Sequence, residues 1–234
     1  MFNPEASLYN GWRICFSASV ESEEMSSRSM KDRIVRLIPT DFLMIPIHAL
    51  EGLSVRRRFA RTLYQKMASS YERGRSLLYF GEDRFESATR FADRVLDLGS
   101  GTGYLSRKLA RGARMVVGLE RELHMTREAV SRGGGVHYVV GDMTKLPFKA
   151  CSYDVCTSLG AIHCVDPFEF FHETARMLRP EGEALVLSED WITPRFYPQA
   201  GHRTIREGIK RAGLRLVEEA KIKRLHRLYR ASRT

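Results

Sequence analysis

The feature that most constrains this chain is a change of rhythm near residue 93. From there, short runs rich in Val, Leu and Tyr recur at 94–98 (RVLDL), 114–119 (RMVVGL), 136–140 (VHYVV), 153–158 (YDVCTS), 183–190 (EALVLSED), 214–222 (LRLVEEAKI) and 225–231 (LHRLYRA). Runs of this length and composition read as strands. Helical segments at 104–111, 122–131 and 167–178 separate the early runs, the last closed by Arg179-Pro180-Glu181-Gly182. Strand–helix alternation with right-handed crossovers predicts an α/β fold with a doubly wound, mostly parallel seven-stranded sheet. The last two runs are joined too tightly for a crossover helix, so they pair as a C-terminal antiparallel hairpin.

Upstream the pattern differs. Between residues 31 and 92 apolar positions recur at three and four (Phe59, Leu63, Met67, then Leu77 and Leu78), predicting two or three helices separated by Gly52, Gly74 and Gly81. Residues 1–29 include the run SASVESEEMSSRS and show no sustained period, so they read as a poorly ordered extension in which Met25 or Met30 is an alternative start. The expected organisation is an extension over 1–29, an N-terminal helical cap over 30–92 and one α/β domain over 93–234. The apolar stretch from Leu37 to Leu50 is broken by Pro39, Asp41, Pro46 and His48 and falls short of the ~20 residues that span a bilayer. It lines an acceptor pocket or forms a packing layer. The acidic start, with Glu5, Glu21, Glu23 and Glu24, fits neither a secretory signal nor a transit peptide, and the chain reads as cytoplasmic. Cys15, Cys151, Cys156 and Cys164 form no CxxC pair, which predicts reduced, mostly buried thiols and no metal site.

The formal net charge of +10 invites a nucleic-acid reading. Residues 202–234 hold eleven Lys/Arg against Glu207, Glu218 and Glu219, so most of the excess is C-terminal. Scarce Asn and Gln beside many charges is also a tendency of heat-adapted proteins. A solvated basic surface is favoured over an RNA-binding face.

The strongest local signal is Val95-Leu-Asp-Leu-Gly99-Ser-Gly101-Thr-Gly103-Tyr-Leu-Ser106, a buried strand entering a glycine-rich turn that opens a helix. Such a turn lets a nucleotide-like ligand approach the backbone. It departs from the dinucleotide fingerprint: the third glycine comes one position early, and Asp97 stands two residues before the first. An acid there repels a pyrophosphate and suits a ligand carrying an ammonium group. Glu120 closes the second hydrophobic run, where an acid can accept from both ribose hydroxyls. Asp142, in Gly141-Asp142-Met143, follows the third and can accept from an exocyclic amine, although an Asp after a strand is more often a turn former.

In order and spacing, VLDLGSGTGYLS, GLERE, GDMTKLPF, SYDVCTSLGAIHCVDP and MLRPEGEALVLSED resemble the S-adenosylmethionine-dependent methyltransferases of the Rossmann-like class. The resemblance covers residues 93–190 and is greatest to the quinone- and sterol-type small-molecule branch. It implies S-adenosylmethionine as cofactor. Asp97 would orient the methionine amino group. Gly99, Ser100, Gly101 and Gly103 would admit the methionine and ribose portions. Glu120, with Arg121 beside it, would hold the ribose; Asp142 and Met143 would hold adenine; and Ser158 and Leu159 would touch the methionine part. The segment LYQKMASSYERG (63–74) is similar to the tyrosine-containing helix that covers the cofactor in that branch, placing Tyr64 and Tyr71 over it. The same seven-residue spacing also suits core packing.

The run TSLGAIHCV lacks the Asn/Asp-Pro-Pro-aromatic motif of many amino-directed nucleic-acid enzymes, and no cysteine follows a proline as in the cytosine C5 enzymes. The absence of a GKS or GKT loop argues against an NTPase. A sulfonium methyl is already electrophilic, so holding the acceptor in line and excluding water is the main task. His163 is the best-placed base for a carbon or hydroxyl acceptor, or else a packed loop histidine. The expected function is methyl transfer to a small-molecule acceptor. RNA methylation, a nicotinamide-dependent oxidoreductase and a non-catalytic interaction module are the alternatives.

Overall fold

A strand with no exposed face must be covered on both sides, and Val95, Leu96, Asp97 and Leu98 are all buried. The computed structural model describes Glu72 and residues 81–189, 201–222 and 226–234. In chain order its elements are α1 (Glu82–Thr89), β1 (Arg94–Leu98), α2 (Tyr104–Leu109), β2 (Met115–Glu120), α3 (Leu123–Ser131), β3 (His137–Val140), β4 (Tyr153–Leu159), a 3-10 turn (Ile162–Cys164), α4 (Pro167–Met177), β5 (Leu178–Glu189), α5 (His202–Arg211), β6 (Leu214–Ile222) and β7 (His226–Arg233). The extension over 1–29, the segment from Leu37 to Leu50, Tyr64, Tyr71 and Cys15 lie outside the described residues.

The seven strands form one sheet in the order β3-β2-β1-β4-β5-β7-β6. Parallel pairing links β3 through β5, and β7 runs antiparallel to both β5 and β6. This is the expected doubly wound sheet with its C-terminal hairpin. Alternate strand residues enter two cores. Leu96, Leu98, Cys156, Ala184 and Val186 pack with Phe170 and Phe171 of α4 and Ile205 and Ile209 of α5. Val95, Val155, Leu185, Leu187 and Leu228 pack with Phe85 of α1 and Leu105 and Leu109 of α2.

The helix starting at Pro167 follows its local signals. Asp166 caps it, accepting from the Phe168 and Glu169 amides, and Pro167 sits where its missing N–H costs nothing. Two features differ from the sequence expectation. The strand expected from 183 begins at Leu178, directly after α4, and the Arg179–Gly182 run lies within it as an irregularity: the register jumps from Tyr153↔Leu178 to Val155↔Glu183, with Glu181 left-handed. Helix α5 has no counterpart in the sequence reading, because its apolar face is only Ile205, Gly208 and Ile209 among many charges. A Cβ on Gly208 would lie 3.0 Å from Phe171 and 3.1 Å from the Pro167 carbonyl oxygen, so the glycine sets how closely α5 approaches α4.

The C-terminal arginines are largely engaged within the chain. Arg206 and Arg227 share Glu219, Arg230 pairs with Glu183, Arg211 with Glu207, and Arg233 donates to the carbonyls of Ala175 and Leu178. The hydrogen bond from Arg206, joined by that from Arg227, holds the Glu219 carboxyl down at about 2. Two of the three described cysteines, Cys151 and Cys164, are exposed rather than buried. Cys156 is buried, and that burial pushes its thiol up. Among the described residues no helix is long and apolar enough to cross a membrane.

Phe170 is fully buried and meets Phe171 edge to face at 5.1 Å. Phe170→Ala is expected to cost roughly 3–5 kcal/mol through lost burial and the cavity left behind. Denaturant unfolding checks this, and a loss below about 1 kcal/mol would contradict the packing described.

Candidate active site at the carboxyl edge of the sheet

Reversal of strand order between β1 and β4 opens a crevice at the carboxyl ends of the strands, the usual ligand position in open α/β sheets. The acids singled out from sequence lie along that edge on adjacent strands: Asp142 after β3, Glu120 ending β2 and Asp97 in β1. Across the crevice, β4 ends with Ser158 and Leu159, followed by His163 in the 3-10 turn.

The turn after β1 is strongly shaped by its own chain. Gly99, Gly101 and Gly103 all have positive φ. A Cβ on Gly99 would come within 2.4 Å of the Ala161 Cβ, and one on Gly103 within 2.0 Å of the Tyr138 hydroxyl. Protein packing therefore requires glycine at both positions, in addition to any ligand approach. The amides of Gly99 and Ser100 donate to the Leu119 carbonyl, that of Gly103 to the Ser100 carbonyl, and that of Gly101 to Glu120 Oε2 at 3.0 Å. These four N–H groups are engaged internally, and two carboxylates stand beside them. The turn is thus not an array of free donors awaiting a pyrophosphate, and its charge favours a cationic or neutral polar group.

Asp97 is 1% exposed. Its Oδ1 accepts from Thr157 Oγ1 at 3.0 Å and its Oδ2 from Ser106 Oγ at 2.5 Å, which ties β1 to β4 and α2. Glu120 accepts from the Glu122 amide at 2.8 Å through Oε1 as well as from Gly101. Burial pushes the Glu120 carboxyl above the usual range; the two amides and the nearby Arg121 guanidinium pull it down. Asp142 Oδ1 accepts from the amide and hydroxyl of Thr144, both at 2.8 Å, so the turn-former role is real. Met143 is buried with its Sδ and Cε near Gly99, which brings the third loop against the glycine turn.

Ser158 is fully buried, and its hydroxyl has no hydrogen-bond partner among the described residues. Buried polar atoms are nearly always paired, so this hydroxyl is available to a polar ligand at the end of β4. The Ser100 hydroxyl is also buried and without a partner among the described residues, and it would lie 3.0 Å from a Cβ on Gly118, on β2. His163 is 3% exposed, and Arg121 lies at the surface with its guanidinium near Glu122. Among the described residues no group of His, Cys, Asp and Glu is placed to hold a metal ion.

Three residues at this edge escape the sequence reading. Glu189, ending β5, and His226, beginning β7, are both buried and are register partners, so their side chains share one face of the sheet. The signal for Glu189 was present: like Glu120, it is an acid closing an apolar run. The third, Glu72, bonds to the glycine turn itself.

Residues 96–186 match the model of a family described as a methyltransferase domain. The matched segment runs from β1 into β5 and takes in the glycine turn, Glu120 and Asp142. It is 30% identical over 141 residues to a ubiquinone/menaquinone biosynthesis C-methyltransferase of Bdellovibrio bacteriovorus, a match covering 54% of this chain and 60% of the relative. It is 33% identical over 135 residues to a demethylmenaquinone methyltransferase of Clavibacter sepedonicus, covering 53% and 55%. The chain therefore spans little more than half the length of these curated relatives. In fold it is similar to a geranyl diphosphate C-methyltransferase of Streptomyces coelicolor, solved with Mg2+, geranyl diphosphate and S-adenosyl-L-homocysteine: TM-score 0.59 at 15% identity, covering 72% of this chain and 83% of that one.

The elevated Glu120 carboxyl has a defined pH signature. A raised folded-state pKa stabilises the fold below the ordinary carboxylate value, and that contribution is lost as pH rises through the folded value. Glu120→Gln does not titrate. Its stability relative to the ligand-free native protein should therefore rise between pH 4 and pH 7, as read by denaturant midpoints; a difference that stays flat or falls would refute the burial argument.

Proposed function

We propose that this protein transfers a methyl group from S-adenosylmethionine to a small-molecule acceptor. The observation that carries this reading is the row of Asp97, Glu120 and Asp142 on three adjacent strand ends, beside a glycine turn whose amides are largely engaged within the chain. Such an edge suits an aminoacyl nucleoside. Its acids can accept from an ammonium group, ribose hydroxyls and an exocyclic amine, and it offers little to the pyrophosphate of a nicotinamide dinucleotide.

The cofactor supplies an electrophilic methyl on a sulfonium centre. The chain's residues bind and orient it. Asp97, already anchored by Ser106 and Thr157, holds the amino group, Glu120 holds the ribose, and Asp142 and Met143 flank adenine. The Ser158 hydroxyl meets the methionine part, with Leu159 packing beside it. His163 takes a proton from the acceptor where the acceptor must lose one. The quinone-related names of the two relatives support a small apolar acceptor, and the C-methyltransferase name of the first supports carbon as the methyl-receiving atom. The RNA reading is weakened by the pairing of the C-terminal arginines with Glu183, Glu207 and Glu219.

Calorimetric titration with S-adenosylmethionine and S-adenosylhomocysteine, with NADH and NADPH as controls, tests the reading. Micromolar binding to the first pair, about −8 kcal/mol, is expected; binding to neither would leave a non-catalytic module. Asp97→Ala and Glu120→Ala should each weaken that binding by about 1–3 kcal/mol, and native affinity in both would overturn the site. With an acceptor in hand, an unchanged single-turnover rate in His163→Ala would remove His163 as base.

A further inference from the structure

Glu72 lies 24 residues before the first residue of the matched domain, yet its carboxylate is bound to the glycine turn. Thr102 Oγ1 donates to Glu72 Oε1 at 2.7 Å. Arg107, one turn into α2, spans both carboxylate oxygens with Nη2 at 2.7 and 2.9 Å, while its Nη1 donates to the Thr102 carbonyl at 2.7 Å. Arg132, just past α3, adds a contact to Oε2 at 2.6 Å. Thr102, fully buried between Gly101 and Gly103, is thus gripped at its hydroxyl by Glu72 and at its carbonyl by Arg107.

The sequence makes room for this arrangement. A Cβ on Gly103 would lie 2.9 Å from Arg107 Nη1, and one on Gly134 would lie 2.6 Å from Arg107 Cγ. Two glycines from separate loops therefore flank the arginine. The carboxylate and both guanidinium groups are largely shielded, with side-chain exposures of 17%, 18% and 25%. Forked, partly desolvated pairs of this kind position groups better than exposed ones.

We infer that Glu72 is a positioning residue for the cofactor: it fixes Thr102 from outside the turn while Glu120 fixes the Gly101 amide from the other side, so that the backbone of 101–103 is set before ligand binds. This rests on the cofactor reading above. Positive φ at Gly101 and Gly103 leaves the turn many alternative conformations when unrestrained, and ordering it at the moment of binding would cost affinity.

The test is calorimetric titration of S-adenosylhomocysteine into the full chain and its Glu72→Gln, Thr102→Val and doubly substituted variants, with Glu207→Gln as a remote ion-pair control. Each single variant should raise Kd at least fivefold, the double variant should be no worse than the poorer single one, and the control should stay within twofold of the native protein. That non-additivity is the signature of one shared contact; a merely structural contribution would not couple the two sites in ligand affinity. Thr102→Val leaves both Glu72–Arg contacts in place and so keeps the test available if Glu72→Gln fails to fold. Native affinity in Glu72→Gln and Thr102→Val, or strictly additive losses, would overturn the inference while leaving the cofactor reading intact. Absence of binding to the native protein would instead overturn the cofactor reading, and this inference with it.

Discussion

The buried carboxylate of Asp97 is the interaction on which the site depends. It sits in the central strand, accepts from Thr157 on β4 and from Ser106 on α2, and so joins the two sides of the crevice to the helix that follows the glycine turn. A carboxylate this deep is tolerated only when it is hydrogen-bonded, and the two hydroxyls supply one donor to each of its oxygens. The same residue is the register partner of Thr157 in the β1–β4 pairing and places an acid beside the glycine turn. Structure and electrostatics are therefore not separable at this position.

Around that anchor the glycine turn is held from three directions. The Leu119 carbonyl takes the amides of Gly99 and Ser100, Glu120 takes that of Gly101, and Glu72 with Arg107 takes the hydroxyl and carbonyl of Thr102. Two of those holders are acids, and both face amides or hydroxyls rather than a phosphate. This is the physical difference from a dinucleotide turn, where free N–H groups and the helix dipole receive an anion. Here they are largely spent inside the protein, and carboxylates are lined along the sheet edge instead.

The basic C-terminal segment illustrates how charge content and charge availability diverge. Counted along the chain, residues 202–234 look like a polyanion-binding surface. In the fold, Glu219 alone engages two arginines, Glu183 a third, and Arg233 is occupied by the carbonyls of Ala175 and Leu178. The arginines stitch α5, β6 and β7 together and to β5. Their counterions lie on neighbouring elements, sometimes forty or more residues away, and no local count could have paired them.

Local rules were sufficient where strand, turn and cap signals act over a few residues. The seven strands, the antiparallel end, the N-terminus of α4 and the row of Asp97, Glu120 and Asp142 were all legible because an acid closing an apolar run must lie at a strand end, and parallel strands bring those ends together. Helix α5 was not legible, since three small or apolar positions make a face only when α4 is there to receive it. The same holds for Glu189 opposite His226, for the two exposed cysteines, and for Glu72 on Thr102. Each depends on a contact between segments distant in the chain, and spacing along a sequence carries no distance across a fold. By itself the sequence determined the kind of sheet and the chemistry at its edge; tertiary packing decided which donors were left for a ligand and which distant residue holds the turn in place.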